Sequence, residues 1–519
     1  MSVAAPSLQR VRGGILTHIL SLAGFMALVR VAGFVEKQFF AARFGATAAM
    51  DVYFIALGVP MMVFFSATAL VNPTFLPIFL RRVQEGEERR AWSQFRAWRI
   101  TGLVFLAAVA GLATAGAEIL AACLGPGLDA EHRLVCARLI RILSPAAVVL
   151  GLLPLTTSVL NARRRFVVAP SGEILIKSCT IGGVVAFASS WGIYSAAAGF
   201  LLGTLLACCL HTHCARRLAG VFAGTRPDWR DPDFRYVLFL MLAPGVGTIL
   251  ARLSGLVENA ACSTVAPGAV SSLEWARRIV NLPLLIVPLA CGTVLYTLFS
   301  ELRRQDDPRE ATRLLGAGLR GILFFLLPLA ALTMLLARPV VAVVYERGQF
   351  DAAATAQVAG VLVWLAPEMC FEGMEILLMR YFFSREELWP PILIGLACTL
   401  LKIGLIVGFV GAFGVVAVAG AIVFSRALKI SLLVVFLALR GSIRWRDFEL
   451  GQFARLLPCL CVGAAVAVAV ARLAGLFTGG LLVLTAGGAA GFGAHAGLGL
   501  VLGLRESRYL ARKLGWRFT

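Results

Sequence analysis

The chain has 519 residues, 59% of them hydrophobic and only 15% charged, with a mean hydropathy of +0.86. So much apolar surface excludes a water-soluble globular protein, whose outer faces must be polar. The net charge of +20 would suggest nucleic acid in a soluble protein, but here the basic residues sit in short loops between apolar runs. The positive-inside bias and attraction to anionic headgroups account for them, so no nucleic-acid partner is expected.

In chain order, about fourteen segments are each long enough to cross a bilayer, which takes about 20 apolar residues. They centre on residues 14–42, 51–80, 100–124, 134–160, 170–191, 193–214, 236–260, 271–299, 318–343, 356–384, 389–411, 414–439, 453–474 and 478–504. Arg10 and Arg12 precede the first run, which continues past Phe40 without a small-residue cleavage site. It reads as a first span rather than a removed signal peptide. The twelve cysteines, such as Cys179, Cys208, Cys291 and Cys398, fall mostly inside apolar stretches and read as small core residues.

Arginine gathers in every second connection: Arg81, Arg82, Arg89, Arg90, Arg96 and Arg99; Arg163 to Arg165; Arg216, Arg217, Arg226, Arg230 and Arg235; Arg303, Arg304, Arg309, Arg313 and Arg320; Arg440, Arg444 and Arg446; and the tail from Arg505 to Arg517. The loops between, such as Thr264–Ser271 and Gly411–Val415, are short and nearly uncharged. This alternation predicts an even number of spans with both termini cytoplasmic. The longer basic loops carry Trp92, Trp98, Trp229 and Trp445 and are expected to form interfacial helices on the inner leaflet. None is long enough for a catalytic domain, so function must reside between the helices.

An ionisable side chain at mid-bilayer costs roughly 2.5–3.5 kcal/mol on insertion scales, so such groups face a wet cavity or a partner. Spans here contain Arg30, Glu36 and Lys37; Asp51; Glu173 and Lys177; Arg252 and Glu258; Glu274, Arg277, Arg278 and Asn281; Glu368, Glu372, Glu375 and Arg380; Lys402; and Arg426 and Lys429. Glu173 and Lys177 stand four apart and are expected to pair; Arg426 and Lys429 are expected to be structural. Arg30, Arg278 and Lys402 lie deeper, in helices rich in glycine and proline, and are expected to line a functional cavity. Cationic charge predominates in the first and eighth spans, which suits a phosphate, pyrophosphate or carboxylate headgroup gripped by arginine. Pro60, Pro73, Pro244, Gly245, Gly247, Pro283 and Pro288 are expected to interrupt their helices beside that cavity. Together these features point to a transporter.

Several motifs then follow one another in order: Arg30-Val-Ala-Gly33-Phe34, Phe44-Gly45-Ala46, Asp51-Val-Tyr-Phe54 with Pro60, Phe75-Leu-Pro77-Ile78, Leu160-Asn161-Ala-Arg-Arg-Arg165-Phe166 with Pro170, Trp275-Ala-Arg-Arg278-Ile-Val-Asn-Leu-Pro283, Tyr345-Glu346-Arg347-Gly348-Gln-Phe350-Asp351 and Arg380-Tyr381-Phe382. In this series the chain resembles the MurJ (MviN) family, which flips lipid II, the undecaprenyl-pyrophosphate-linked peptidoglycan precursor, and belongs to a superfamily shared with polysaccharide-lipid flippases and MATE exporters. The resemblance implies an all-α polytopic membrane protein of about fourteen helices, two six-helix lobes around a central cavity plus two C-terminal helices. Residues 1–220 would form the first lobe, 221–445 the second, and 446–519 the added helices with a basic tail. It implies a non-enzymatic flippase in the bacterial cytoplasmic membrane. Arg30, Lys37, Asp51, Arg277, Arg278 and Asn281 would bind substrate, while Glu36, Arg252 and Lys402 would serve gating or coupling. The implied partners are the polyprenyl-pyrophosphate-linked glycan lipid, membrane lipids and proteins of cell-wall synthesis.

The chain departs from the family in placing Glu36 before Lys37, in carrying Phe64 and Phe65 where basic residues are common, in Asn281, and in Lys402 where some members offer a carboxylate to sodium. A sister flippase for another polyprenyl-linked glycan, such as an exopolysaccharide or O-antigen unit, is therefore an open alternative. A cation-coupled drug exporter would want a more acidic cavity. For a membrane enzyme the candidates are Asp231-Pro-Asp233, which reads as a turn opening a helix, and His211-Thr-His213-Cys214, which lacks a second ligand cluster. No cofactor or metal is expected, and no Gly-rich loop ending in Gly-Lys-Ser/Thr provides for ATP. The expected mechanism is alternating access: an inward-open cavity takes the headgroup while the polyprenyl tail stays in lipid along the last two spans.

Overall fold

Helices account for every element of secondary structure among the residues that the computed structural model describes: 8–284, 287–305, 307–387, 389–441, 450–475 and 480–513. Residues Arg444, Trp445, Arg446 and Arg517 lie outside that set. The chain divides into two units, residues 1–260 and 261–519.

The first unit contains α1 (Leu8–Phe44), α2 (Ala48–Gln84), α3 (Glu88–Ala115), α4 (Ala117–Leu124), α5 (Ala130–Ala162), α6 (Val168–Trp191), α7 (Tyr194–Ala219), a 3-10 turn (Gly220–Gly224) and nearly all of α8 (Pro232–Ser263). The second contains α9 (Ala269–Leu284), α10 (Val287–Arg304), α11 (Pro308–Leu335), α12 (Ala337–Tyr345), α13 (Ala352–Leu365), α14 (Glu368–Ser384), α15 (Trp389–Phe413), α16 (Val415–Leu439), α17 (Leu450–Gly475), α18 (Gly480–Val501) and α19 (Arg505–Lys513). Every predicted span falls on one helix or on two consecutive helices. By length and apolarity, nine of the described helices qualify as membrane spans, or ten counting a bent pair. The protein is an all-α, multi-pass membrane protein.

The helices do not break at Pro60, Pro73 or Pro244. The α2 helix runs through Pro60, Pro73 and Pro77, and α8 runs unbroken past Pro244 and Gly247. A proline removes one backbone hydrogen bond, which neighbouring helices and side chains can make good at membrane depth. The predicted spans break instead at Gly116, at Leu336 and at Ala366–Pro367. Residues 285 and 286, between Pro283 and Pro288, lie outside the described set.

In the first unit α5 is the inner helix, with 67% of its most apolar window buried, packed by α2, α3 and α7. Its contact with α2 includes a hydrogen bond of 3.0 Å from Ser158 to the Asn72 side chain. Trp92 and Trp98 both pack against other aromatic rings of the first unit. Trp92 is 2% exposed, meets Phe79 and Phe95 edge-on at 5.6 and 5.7 Å, and sits in a core with Phe75, Leu155 and Val159. Trp98 packs 4.7 Å from Phe234. The aromatic, arginine-rich stretch is the first part of α3 and is held inside the fold by its ring packing. Trp229 is exposed, as an interfacial residue would be, and donates to the Thr101 hydroxyl at 3.1 Å.

Glycine sets the closest helix approaches. On α7, Gly199 and Gly203 stand four apart, and a Cβ on them would lie 2.6 Å from the Cys179 carbonyl oxygen and 2.6 Å from the Ile176 Cα of α6. Small residues at this spacing let two backbones touch, which replaces the hydrophobic drive that lipid does not supply. Gly203→Leu is expected to force α6 and α7 apart and to lower the melting temperature of the detergent-solubilised protein, at a cost of about 1–3 kcal/mol or more. Gly182→Leu, on α6 but facing open space, should leave it nearly unchanged. Equal melting of the two variants would contradict this packing. The α17–α18 pair repeats the device: a Cβ on Gly463 would stand 2.7 Å from the Gly491 carbonyl oxygen.

Candidate functional site

The charged residues of the spans sort into groups within each unit. In the first, Arg30 is exposed and lies 14 positions before the end of α1, roughly 20 Å along a helix that rises about 1.5 Å per residue. Among the described residues it makes no ion pair. One to two turns on, Glu36 is buried and its Oε2 lies 3.3 Å from Lys37 Nζ and 3.9 Å from Lys177 Nζ of α6. Lys177 thus pairs across helices and not with Glu173, which is exposed. The reason is burial: Glu36 is the acid that most needs neutralising, whereas Glu173 can remain solvated. Gly33 admits the lysine, since a Cβ there would stand 3.3 Å from Lys177 Nζ. Lys37 also lies over the Phe40 ring at 4.8 Å.

Asp51, in the first turn of α2, is 2% exposed and so is sealed in this conformation. Arg252 of α8 is exposed and lies over the Phe65 ring at 4.6 Å. Phe65 of α2 thus supports a guanidinium delivered from another helix, a cation–π contact. Glu258 is buried and accepts from Ser254 at 3.3 Å.

In the second unit α9 carries Glu274, Arg277, Arg278 and Asn281. Trp275 anchors the helix: it is fully buried, 4.9 Å from Tyr345 and 6.2 Å from Phe350. That contact joins two motifs of the sequence, Trp275–Pro283 and Tyr345–Asp351, and turns the next residues outward. Arg277 is half-buried and bound to Glu274 at 2.7 Å. Arg278 is exposed and, among the described residues, makes no ion pair. Asn281, one turn further, is half-buried. Lys402 of α15 is half-buried as well.

Arg426 and Lys429 of α16 are structural. Arg426 reaches Glu368 at 3.1 Å, Glu372 at 3.8 Å and Glu375 at 2.9 Å, and Lys429 reaches Glu375 at 2.5 Å. The structure thus separates charges engaged in packing (Glu36, Lys37, Lys177, Glu274, Arg277 and the α14–α16 network) from exposed guanidiniums that have no acid beside them among the described residues (Arg30 and Arg278). The sequence alone does not assign partners to the three glutamates of α14; their spacing over two turns is the signal that could point to Arg426 and Lys429.

Asp231 and Asp233 open α8 and hold the basic loops together. Asp231 accepts from the Asp233 amide at 2.9 Å and pairs with Arg90 at 3.4 Å, while Asp233 takes Arg81 at 3.2 Å and Arg82 at 2.6 Å. Burial opposes ionisation of Asp231, but the Asp233 amide, Gln94, Arg90 and Arg82 together outweigh it and hold its carboxyl below the usual aspartate range. His211 is buried behind Gly172 and His213 is exposed, so the two rings do not converge.

Residues 40–487 match the family model described as Lipid II flippase MurJ. The chain is similar to the lipid II flippase MurJ of Burkholderia cenocepacia, 25% identical over 395 residues that make up 74% of this chain and 76% of that one. It is 25% identical over 453 residues to the probable lipid II flippase MurJ of Rhizobium meliloti, covering 85% of this chain and 83% of that one. A solved structure of a lipid II flippase MurJ in an inward closed conformation superposes with a TM-score of 0.77 at 19% identity, over 95% of this chain and 99% of that one. An inward-facing multidrug MATE transporter of the MOP superfamily superposes at 0.64 and 14% identity, over 78% and 94%. These two likenesses are of fold.

Proposed function

The chain belongs to the lipid II flippase MurJ family, a family of transporters and not of enzymes, and from that premise we propose that it carries lipid II from the inner to the outer leaflet of the bacterial cytoplasmic membrane by alternating access. The observation that carries the substrate reading is the pair Arg30 and Arg278, exposed guanidiniums on helices of the predicted spans that make no ion pair among the described residues. A cation kept at such a position without an acid calls for water or an anion beside it. The lipid pyrophosphate supplies that anion, and a guanidinium grips its oxygens bidentately.

In this reading Arg30 and Arg278 hold the pyrophosphate, with Lys37 and Arg277, already paired to acids, adding positive field and Asn281 a hydrogen bond. Asp51, sealed in the present conformation, meets substrate in another. Glu36, Arg252 and Lys402 serve gating or coupling. The polyprenyl tail stays in lipid along α17 and α18. Both termini face the cytoplasm, as the arginine bias of the loops favours. With the inside negative, moving one negative charge fully outward gains about 2.3 kcal/mol per 100 mV, so the membrane potential favours export of the headgroup.

Complementation of a strain depleted of its own lipid II flippase tests this. The wild-type chain is expected to restore growth, and Arg30→Ala and Arg278→Ala to lower rescue by roughly 30-fold or more at equal membrane abundance, as expected for losing a charged contact to a buried anion. Full rescue by both variants would remove the proposed headgroup site, and failure of the wild type would reassign the substrate to another polyprenyl-linked glycan.

A further inference from the structure

At the end of the first unit that bears the arginine-rich loops, α3 and α7 leave a shallow cleft, bounded by the 3-10 turn Gly220–Gly224. Three guanidiniums line it: Arg96 and Arg99 from α3 and Arg216 from the last turn of α7. Arg96 and Arg216 are close enough to Arg99 to repel its charge. Arg96 donates to the Thr225 carbonyl at 2.6 Å and Arg99 lies over the Phe95 ring at 5.8 Å, but among the described residues none of the three has a carboxylate partner.

The acids nearby are engaged elsewhere. Glu87 binds Arg82 and Arg90, Glu88 binds Arg163 at 2.9 Å, Asp231 binds Arg90 and Asp233 binds Arg81 and Arg82. Like charges gathered on an apolar wall repel one another and lose hydration, a cost that a bound anion removes. A tetrahedral phosphate offers oxygens to several guanidiniums at once. One to two turns beyond Arg99 on the same helix, Leu103, Val104 and Phe105 are exposed apolar residues, a surface suited to acyl chains.

We propose that Arg96, Arg99 and Arg216 form a phosphate-binding site, separate from the residues assigned to lipid II, that seats the headgroup phosphate of an anionic phospholipid against α3 and α7. The charge bias of the loops sets this site at the inner leaflet, where such lipids abound. The proposal stands whether or not lipid II is the transported substrate.

Native mass spectrometry of the full chain, released from mixed phosphatidylglycerol and phosphatidylcholine, tests it. Phosphatidylglycerol is expected to be retained preferentially, and Arg99→Gln with Arg216→Gln to weaken that retention by roughly tenfold. Arg216→Gln alone, at an exposed position, should weaken it partly without disturbing the fold, and Arg164→Gln with Arg165→Gln in another basic loop should not. In a second arm, inorganic phosphate is titrated against the protein in phosphatidylcholine alone. Thermal stabilisation by phosphate that disappears in the double variant, without preference for phosphatidylglycerol, assigns the site to free phosphate. Equal retention of both lipids by wild type and variants, with no effect of phosphate on either, overturns the proposal.

Discussion

Replacing Arg426 by alanine is expected to destabilise the second unit by about 3–5 kcal/mol, the usual cost of stripping one partner from a buried ion network. Arg426 reaches three carboxylates of α14, at Glu368, Glu372 and Glu375, and the Glu368 side chain is only 5% exposed. Without the guanidinium, three acids of α14 lose a shared partner, while Lys429 stays beside Glu375. Arg426→Lys should recover only part of the loss, because a single ammonium cannot reproduce the two-pronged reach of the fork. The measurement is the melting midpoint of the detergent-solubilised protein. Glu372→Gln in the Arg426→Ala background should restore some of it by removing one of the stranded charges. A variant that melts like wild type would mean that the network contributes nothing to the association of α14 with α16.

The second large effect is expected at Glu36. Its carboxylate is 9% exposed and flanked by Lys37, 11% exposed, and Lys177, 25% exposed. Glu36→Gln removes the carboxylate that Lys37 and Lys177 share, and is expected to cost about 3 kcal/mol, toward the lower end for a broken buried pair because the Lys177 contact is long. Lys177→Gln introduced alongside should return part of that stability, since it removes the repulsion that the first change created. A double-mutant cycle over Glu36 and Lys177, read by thermal unfolding, is expected to give a coupling of about 1 kcal/mol or more. Strict additivity would show that α1 and α6 are held together by packing alone.

The course of the helices was legible in the sequence because a span announces itself locally, through twenty consecutive apolar residues and the charge of its flanks. The turn at Asp231–Asp233 was legible for the same reason, as short-range chemistry. Partnership across the fold was not. Glu173 and Lys177 satisfy the local rule for an ion pair, yet Lys177 turns to Glu36 on another helix, because a buried carboxylate outcompetes an exposed one. Trp92 and Trp98 have the composition of an interfacial helix, and only tertiary packing shows Trp92 to be core, against Phe79 and Phe95, and Trp98 to be half-buried against Phe234. Proline is no guide to breaks in α2 and α8, since a helix inside a bundle can absorb a lost hydrogen bond that an isolated one cannot. The sequence marks Arg30 and Arg278 as cationic groups at depth; their exposure, with no acid beside them among the described residues, is visible only in three dimensions.

The carboxyl-terminal hairpin has a consequence for biogenesis. Its helices α17 and α18 meet through Gly463, Gly487 and Gly491, and rest on α11 through Phe324, Leu456, Cys459 and Leu504. The short α19 turns away from the line of α18 by 112°, and Glu506 on it meets Arg320 of α11 at 3.2 Å, across 186 residues of chain. The ribosome therefore delivers Arg320 to the translocon long before this acid is synthesised. The ion pair between Arg320 and Glu506 can therefore close only after the last hairpin has inserted and docked.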